Sequence, residues 1–189
     1  MINNMFQINV CKQKLNINNK DIIKHVLNLK KKTKGRKISN ATGWQSFDLD
    51  INKKPLLELN KEIIKNSVDY IKSISLKNNS LKISNMWSNV NGYKDYNLIH
   101  SHHSSIISGV YYLKVPKDCG KIFFVNPAAD GIQYSWENCI EEYTQQNSEY
   151  WFMDIEESNL MFFPSWLKHG VESNLNKQED RISISFNIT

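Results

Sequence analysis

Cysteine is scarce in this chain: it occurs only at Cys11, Cys119 and Cys139 among 189 residues. An odd number, wide spacing and no CxxC pair argue against a disulfide framework or a thiolate zinc site, and point to a reducing, cytoplasmic compartment. Long apolar runs are missing too. No segment approaches the ~18 apolar residues that a membrane span requires, and the stretch Met1–Gln7 lacks a charged region followed by a long apolar one. The expectation is a soluble protein without a membrane partner. No internal repeat or low-complexity tract is visible, and no charge of one sign dominates, the formal net charge being +5.

What is present fits one globular domain spanning residues 1–189. Hydrophobic residues make up 40% and charged residues 23%, ordinary values for a chain able to bury a core. Aromatic residues crowd into the C-terminal two thirds. The positive charge is concentrated in Lys30, Lys31, Lys32, Lys34, Arg36 and Lys37, around Gly35. A solvated helix end explains such a run, because cations are favoured at the negative pole of the helix dipole. A phosphate or nucleic-acid contact is the alternative. No aromatic residue interleaves the run, so nucleic acid is not expected as a partner.

Periodicity divides the chain into two parts. Residues 5–10 read as a first strand. Asn19 can cap a helix from about Lys20, with Ile22, Ile23, Val26 and Leu27 on its apolar face. A second helix is expected over 55–75, with Pro55 near its start and Leu56, Leu59, Ile63, Ile64, Ser67, Tyr70, Ile71 and Ile74 at helical spacing. From about Leu81 short apolar runs alternate with polar turns, at 81–90, 97–102, 107–115, 121–126, 149–154, 159–163, 166–171 and 181–188. Eight short strands at this spacing suggest a sandwich or closed barrel of the jelly-roll kind. The fold class is therefore mainly β with N-terminal helices (α+β). Residues 1–80 supply a strand and scaffold helices that pack outside the sheet, and 81–189 supply the core. Residues 127–148 form the longest candidate loop, a place where active-site lids occur.

Three of the five histidines fall within four positions, His100, His102 and His103. In an extended chain residues i and i+2 share a face, so His100 and His102 aim together and His103 faces away. Two convergent imidazoles suit a divalent first-row metal. His169 follows the apolar stretch Phe162–Leu167, where a buried histidine needs hydrogen bonds or a metal. A plainer alternative is an exposed His-x-His pair and a hydrogen-bonded histidine at a strand end. The last strand shifts the balance. Arg181, Ser183, Ser185 and Asn187 share one face, and Ile182, Ile184, Phe186 and Ile188 the other. A guanidinium inside a barrel is costly unless it meets an anion, such as a carboxylate held by its planar fork. Trp87 and Trp166 read as core residues.

Four ordered segments carry a resemblance. They are Asn97-Leu98-Ile99-His100-Ser101-His102, Ser108-Gly109-Val110-Tyr111-Tyr112-Leu113, Phe163-Pro164-Ser165-Trp166-Leu167-Lys168-His169 and Arg181-Ile182-Ser183-Ile184-Ser185-Phe186-Asn187. Together they resemble the 2-oxoglutarate/iron(II) oxygenases found in bacteria and their phages, and the Gly43-Trp44-Gln45-Ser46 loop is similar to that family's N-terminal signature. The likeness covers residues 42–189 in outline. It implies a double-stranded β-helix holding Fe(II), with 2-oxoglutarate and O2 as co-substrates. The implied metal ligands are His100, His102 and His169. Arg181, Ser183 and Tyr112 would bind 2-oxoglutarate, with Asn97 and Asn187 orienting ligands through hydrogen bonds. His102 stands where better-known relatives carry Asp or Glu, and His103 has no ligand role. The implied reaction hydroxylates an unidentified substrate and releases succinate and CO2. A cupin-like three-histidine dioxygenase that does not use 2-oxoglutarate and a non-catalytic jelly-roll binding module are the alternatives. A homodimer is compatible with this sequence.

Overall fold

The computed structural model describes residues 1–189 except 2, 4, 78 and 79. Its first half contains β1 (Cys11–Lys14), α1 (Asn19–Lys32), β2 (Trp44–Gln45), α2 (Leu57–Ser73) and β3 (Ile83–Asn91). The second half contains β4 (Asn97–His100), β5 (Ile107–Lys114), β6 (Ile122–Val125), α3 (Ala129–Trp136), β7 (Tyr150–Met153), β8 (Asn159–Pro164), β9 (His169–Val171) and β10 (Arg181–Ile188). The strands make a six-stranded antiparallel sheet, β1-β8-β5-β10-β3-β2, facing a four-stranded one, β4-β9-β6-β7. This is a jelly roll with helices on one outer face.

The two faces of β10 organise two separate cores. Ile182, Ile184, Phe186 and Ile188 point outward and are buried under α1 and α2, with Ile22, Val26, Leu59, Ile63, Tyr70 and Ile71 supplying the helical side. Helices that cannot hide their apolar stripes alone find the outer sheet face waiting for them. Gly109 of β5 makes that packing possible, because a Cβ there would come within 2.3 Å of the Phe186 ring and 2.5 Å of the Met161 carbonyl oxygen. The second core lies between the sheets and includes Val110, Tyr112, Ile122, Phe124, Met161, Phe163 and Leu167.

Several boundaries differ from the sequence expectations. The first strand lies at Cys11–Lys14, not at 5–10, because the edge of β8 is what it pairs with, Cys11 against Phe162 through Lys14 against Asn159. Lys and Gln are poor strand formers, and the waiting edge overrides their propensity. The cap of α1 is Asn18, whose side chain accepts from the Lys20 amide at 3.1 Å. Asn19 is instead buried, donating to the Leu113 carbonyl and accepting from the Tyr111 hydroxyl at 2.8 Å. The second helix begins at Leu57, two residues after Pro55. The segment 127–148 is not one loop: it contains α3 and a 3-10 turn at Glu137–Cys139. Trp166 is exposed rather than part of the core. No described helix is long and apolar enough to cross a membrane.

Candidate metal centre

The small sheet brings the distant histidines together. His100, the last residue of β4, pairs with His169, the first of β9, and His169 in turn pairs with Phe124 of β6. The chain leaves β4 after His100, so His102 arrives from the irregular segment that follows, not from the strand itself. Ring centroids are 4.4 Å apart for His100–His169, 5.1 Å for His100–His102 and 5.2 Å for His102–His169. One nitrogen from each ring lies within 4.8 Å of the others. His103 is exposed and outside the group.

The protonation of these rings follows from their surroundings. His100 Nδ1 lies 2.7 Å from the Leu98 carbonyl oxygen, and His169 Nδ1 lies 2.9 Å from that of Leu167. A carbonyl can only accept, so in a neutral ring the proton sits on Nδ1 and Nε2 keeps its lone pair. Burial makes the imidazolium form costly. It holds His100 below its usual range, His102 down to about 4 and His169 down to about 3, with neighbouring histidines adding to the effect at His102 and His169. At neutral pH the group therefore offers three uncharged donors, the form a divalent metal needs.

The same narrow cavity holds Arg181, Ser183, Tyr112 and Asn97. Ser183 stands directly opposite Tyr112 of β5 on one side and Asn89 of β3 on the other. Tyr112 is buried, whereas the Tyr111 hydroxyl turns outward to Asn19. Arg181 is 2% exposed. Its Nη1 donates to the Cys119 carbonyl, to that of Glu172 at 3.2 Å and to that of Gly120 at 3.5 Å, but its Nη2 is buried without a partner. Burial lowers the Arg181 pKa, and among the described residues no carboxylate accepts from the guanidinium. Three neutral imidazoles and an orphaned, buried guanidinium nitrogen fit an iron(II) ion and an anionic ligand.

Three placements add to what the sequence suggested. Asn187 does not line the cavity; its Oδ1 accepts from the Ser108 hydroxyl at 2.7 Å, behind it. Trp87, expected only in the core, lines the cavity with its ring 5.6 Å from that of His102 and 31° off parallel. The signal for Trp87 was present, since Trp87, Asn89 and Asn91 alternate along β3 and all face inward. Ser39, from the N-terminal part assigned to scaffold, also reaches the cavity and accepts from Asn97 Nδ2 at 3.4 Å. A larger groove of about 930 Å³ lies beside Tyr96, Leu98, Pro116, Asp154 and Leu175, but none of the histidines borders it.

The architecture is shared with enzymes of known structure. A prolyl-4-hydroxylase of Pseudomonas putida superposes with a TM-score of 0.64 at 10% identity, over 94% of this chain and 91% of that one. HygX of Streptomyces hygroscopicus, solved with nickel and 2-oxoglutarate bound, gives a TM-score of 0.63 at 9% identity, over 95% and 82%. The viral collagen prolyl hydroxylase of Paramecium Bursaria Chlorella virus-1, solved with 2-oxoglutarate (2OG), gives 0.56 at 12% identity, over 95% and 94%. No curated protein matches the sequence. These likenesses define the fold, the double-stranded β-helix of 2-oxoglutarate oxygenases. A family model described as "Putative 2OG-Fe(II) oxygenase" matches residues 85–187, and the chain belongs to that family. The assignment sets it among enzymes that use Fe(II), 2-oxoglutarate and O2.

Proposed function

We propose that His100, His102 and His169 hold iron(II), that Arg181, Ser183 and Tyr112 bind 2-oxoglutarate, and that the enzyme hydroxylates a second, small or peptide-borne substrate. One observation carries this reading. Three uncharged imidazole donors within 4.8 Å of one another share a narrow cavity with the unpartnered Nη2 of Arg181. Bound iron and its co-substrate supply the redox chemistry, turning 2-oxoglutarate and O2 into succinate and CO2 as the second substrate is oxidised.

The protein's own groups do the rest. Nη2 of Arg181 donates to the far carboxylate of 2-oxoglutarate while Nη1 stays fixed by backbone carbonyls, so the guanidinium is aimed before the ligand arrives. The Ser183 and Tyr112 hydroxyls donate to the same carboxylate; burial keeps the tyrosine hydroxyl protonated and able to donate. Phe124 and Phe163 pack on the ring of His169, and Trp87 packs on that of His102. The chain works as one unit, with α1 and α2 as scaffold. Its three cysteines are unpaired, which suits a reducing cytoplasm. Lys30 and Arg36 are engaged by Asp180 and Asp48, which leaves less of the basic run for a polyanion.

Anaerobic titration with iron(II), followed by a screen for substrate-dependent succinate release, tests the proposal. One equivalent of iron and stimulated succinate formation are expected. Iron binding that survives His100→Ala, His102→Ala and His169→Ala alike would sink the ligand assignment.

A further inference from the structure

The three imidazoles are not held alike. His100 and His169 are each locked by a carbonyl two residues back in their own strand or turn. No ring-nitrogen hydrogen bond joins His102 to the described residues, and His102 belongs to no strand. Its segment, between β4 and β5, includes Ser104 in the left-handed region at φ 61° and is irregular throughout. Such a ligand should wander unless something outside its own segment fixes it.

Two features outside its segment reach it, one through the turn that follows β8 and one from β3. The His102 amide donates to the Ser165 carbonyl at 2.8 Å. The Ser165 hydroxyl lies 2.9 Å from that of Ser108, and the Ser108 hydroxyl donates to Asn187 Oδ1 at 2.7 Å. A hydroxyl has one proton to give. Because Ser108 spends its proton on Asn187, Ser165 must be the donor to Ser108. The chain of bonds therefore has one direction, from Ser165 through Ser108 to Asn187. All three residues are buried, Ser165 fully, Ser108 at 1% and Asn187 at 6% exposure, so a missing member leaves its neighbours short of a partner away from bulk water. The second feature is Trp87, whose ring lies against that of His102. Arg36 sits on Trp87 in turn, with its guanidinium carbon 5.9 Å from the ring centroid.

We infer that Asn187, Ser108 and Ser165 form a buried strut that fixes the backbone of His102, while Trp87 fixes its ring. They are positioning residues, and through them strands β3, β5 and β10 of the large sheet reach the third ligand. The inference rests on the reading of His102 as a metal ligand. It assigns a purpose to the inward-facing Asn187, which touches nothing in the cavity. It also separates His102 from the two ligands that a carbonyl two residues back orients.

Cobalt(II), which is stable in air-free buffer and carries visible absorption bands, is the probe. Its dissociation constant would be measured by calorimetry and its spectrum recorded for wild type, Ser108→Ala, Asn187→Leu, Asn187→Asp and Trp87→Leu. Loss of a group that orients a metal ligand typically costs about 10–100-fold in metal affinity. That loss, with a changed cobalt spectrum, is expected for Ser108→Ala, Asn187→Leu and Trp87→Leu. Asn187→Asp keeps an oxygen acceptor for Ser108 and should stay within a few-fold of wild type. A purely structural role would lower the unfolding midpoint of the metal-free protein and leave cobalt affinity and spectrum unchanged. That result in a folded Ser108→Ala or Asn187→Leu variant overturns the strut, and in Trp87→Leu it overturns the ring clamp. His102→Ala serves as the control. If it binds cobalt as wild type does, the ligand reading itself has failed; if it loses cobalt while the other variants keep it, only this inference has.

Discussion

A guanidinium removed from water needs an acceptor on every side, and Arg181 has them on one side only. The carbonyls of Cys119, Gly120 and Glu172 hold Nη1, and Nη2 is buried with no partner among the described residues. Losing a charged hydrogen-bond partner of a buried carboxylate typically costs about 2–5 kcal/mol. Arg181→Met should therefore raise the KM for 2-oxoglutarate by well over tenfold, in succinate assays across a co-substrate range, while iron still binds through the histidines. An unchanged KM in a folded variant would remove the main reason for placing 2-oxoglutarate here. His103 makes the opposite case. It is exposed and outside the imidazole group, so His103→Ala should keep stoichiometric iron in an anaerobic titration.

Helices α1 and α2 pack on the far side of the large sheet from the histidines, α1 over β5 and α2 over β8. Tyr70 shows how closely α2 is fitted: its ring stacks 5.8 Å from that of Phe162, and its hydroxyl donates to the Asn9 carbonyl. Leu59 in the same helix is fully buried. Leu59→Ala should cost about 2–5 kcal/mol of unfolding free energy in urea titrations, and leave the KM for 2-oxoglutarate unchanged below the transition. The basic run divides along similar lines. Lys31, Lys32, Lys34 and Lys37 are exposed, so their charge reversal should leave turnover within experimental error of wild type. Arg36 differs from them. It pairs with Asp48 at 2.7 Å and covers Trp87, so a solvated helix end does not describe the whole run.

Acid should expose the cost of keeping three imidazoles neutral inside the molecule. In the unfolded chain these rings take up protons as pH falls below their ordinary value of 6.5, while in the folded, metal-free protein His102 resists until about 4 and His169 until about 3. Between those limits the unfolded state binds more protons, so stability falls with falling pH. Thermal unfolding of the metal-free protein should show a midpoint that declines progressively from about pH 6.5 toward pH 3. His169→Phe, which leaves an uncharged ring, should flatten the decline. A midpoint that rises through this window would contradict the buried, neutral state of the group. Iron protects the same nitrogens from protons, so the iron-loaded protein should hold its midpoint to lower pH than the metal-free one.

How far the sequence alone reached follows from the range of the interactions involved. Alternation along 181–188 is a local property, and it assigned Arg181 and Ser183 to one face because a strand turns each side chain by the same half-turn. The helical spacing of Leu59, Ile63, Tyr70 and Ile71 likewise identified the stripe that α2 buries. Tertiary pairing decided what those patterns could not. The strand at Cys11–Lys14 exists because the edge of β8 is there to receive it, and its own residues carry little strand preference. His102 joins His100 not as an alternate residue of one strand but from an irregular segment tied to Ser165, 63 residues away in sequence by 165 − 102. Which side of Trp87 faces the histidines, and that Arg36 covers it, depended on how β2 and β3 close the sheet edge. Periodicity ranks faces within an element; only the packing of elements against one another determines what each face meets.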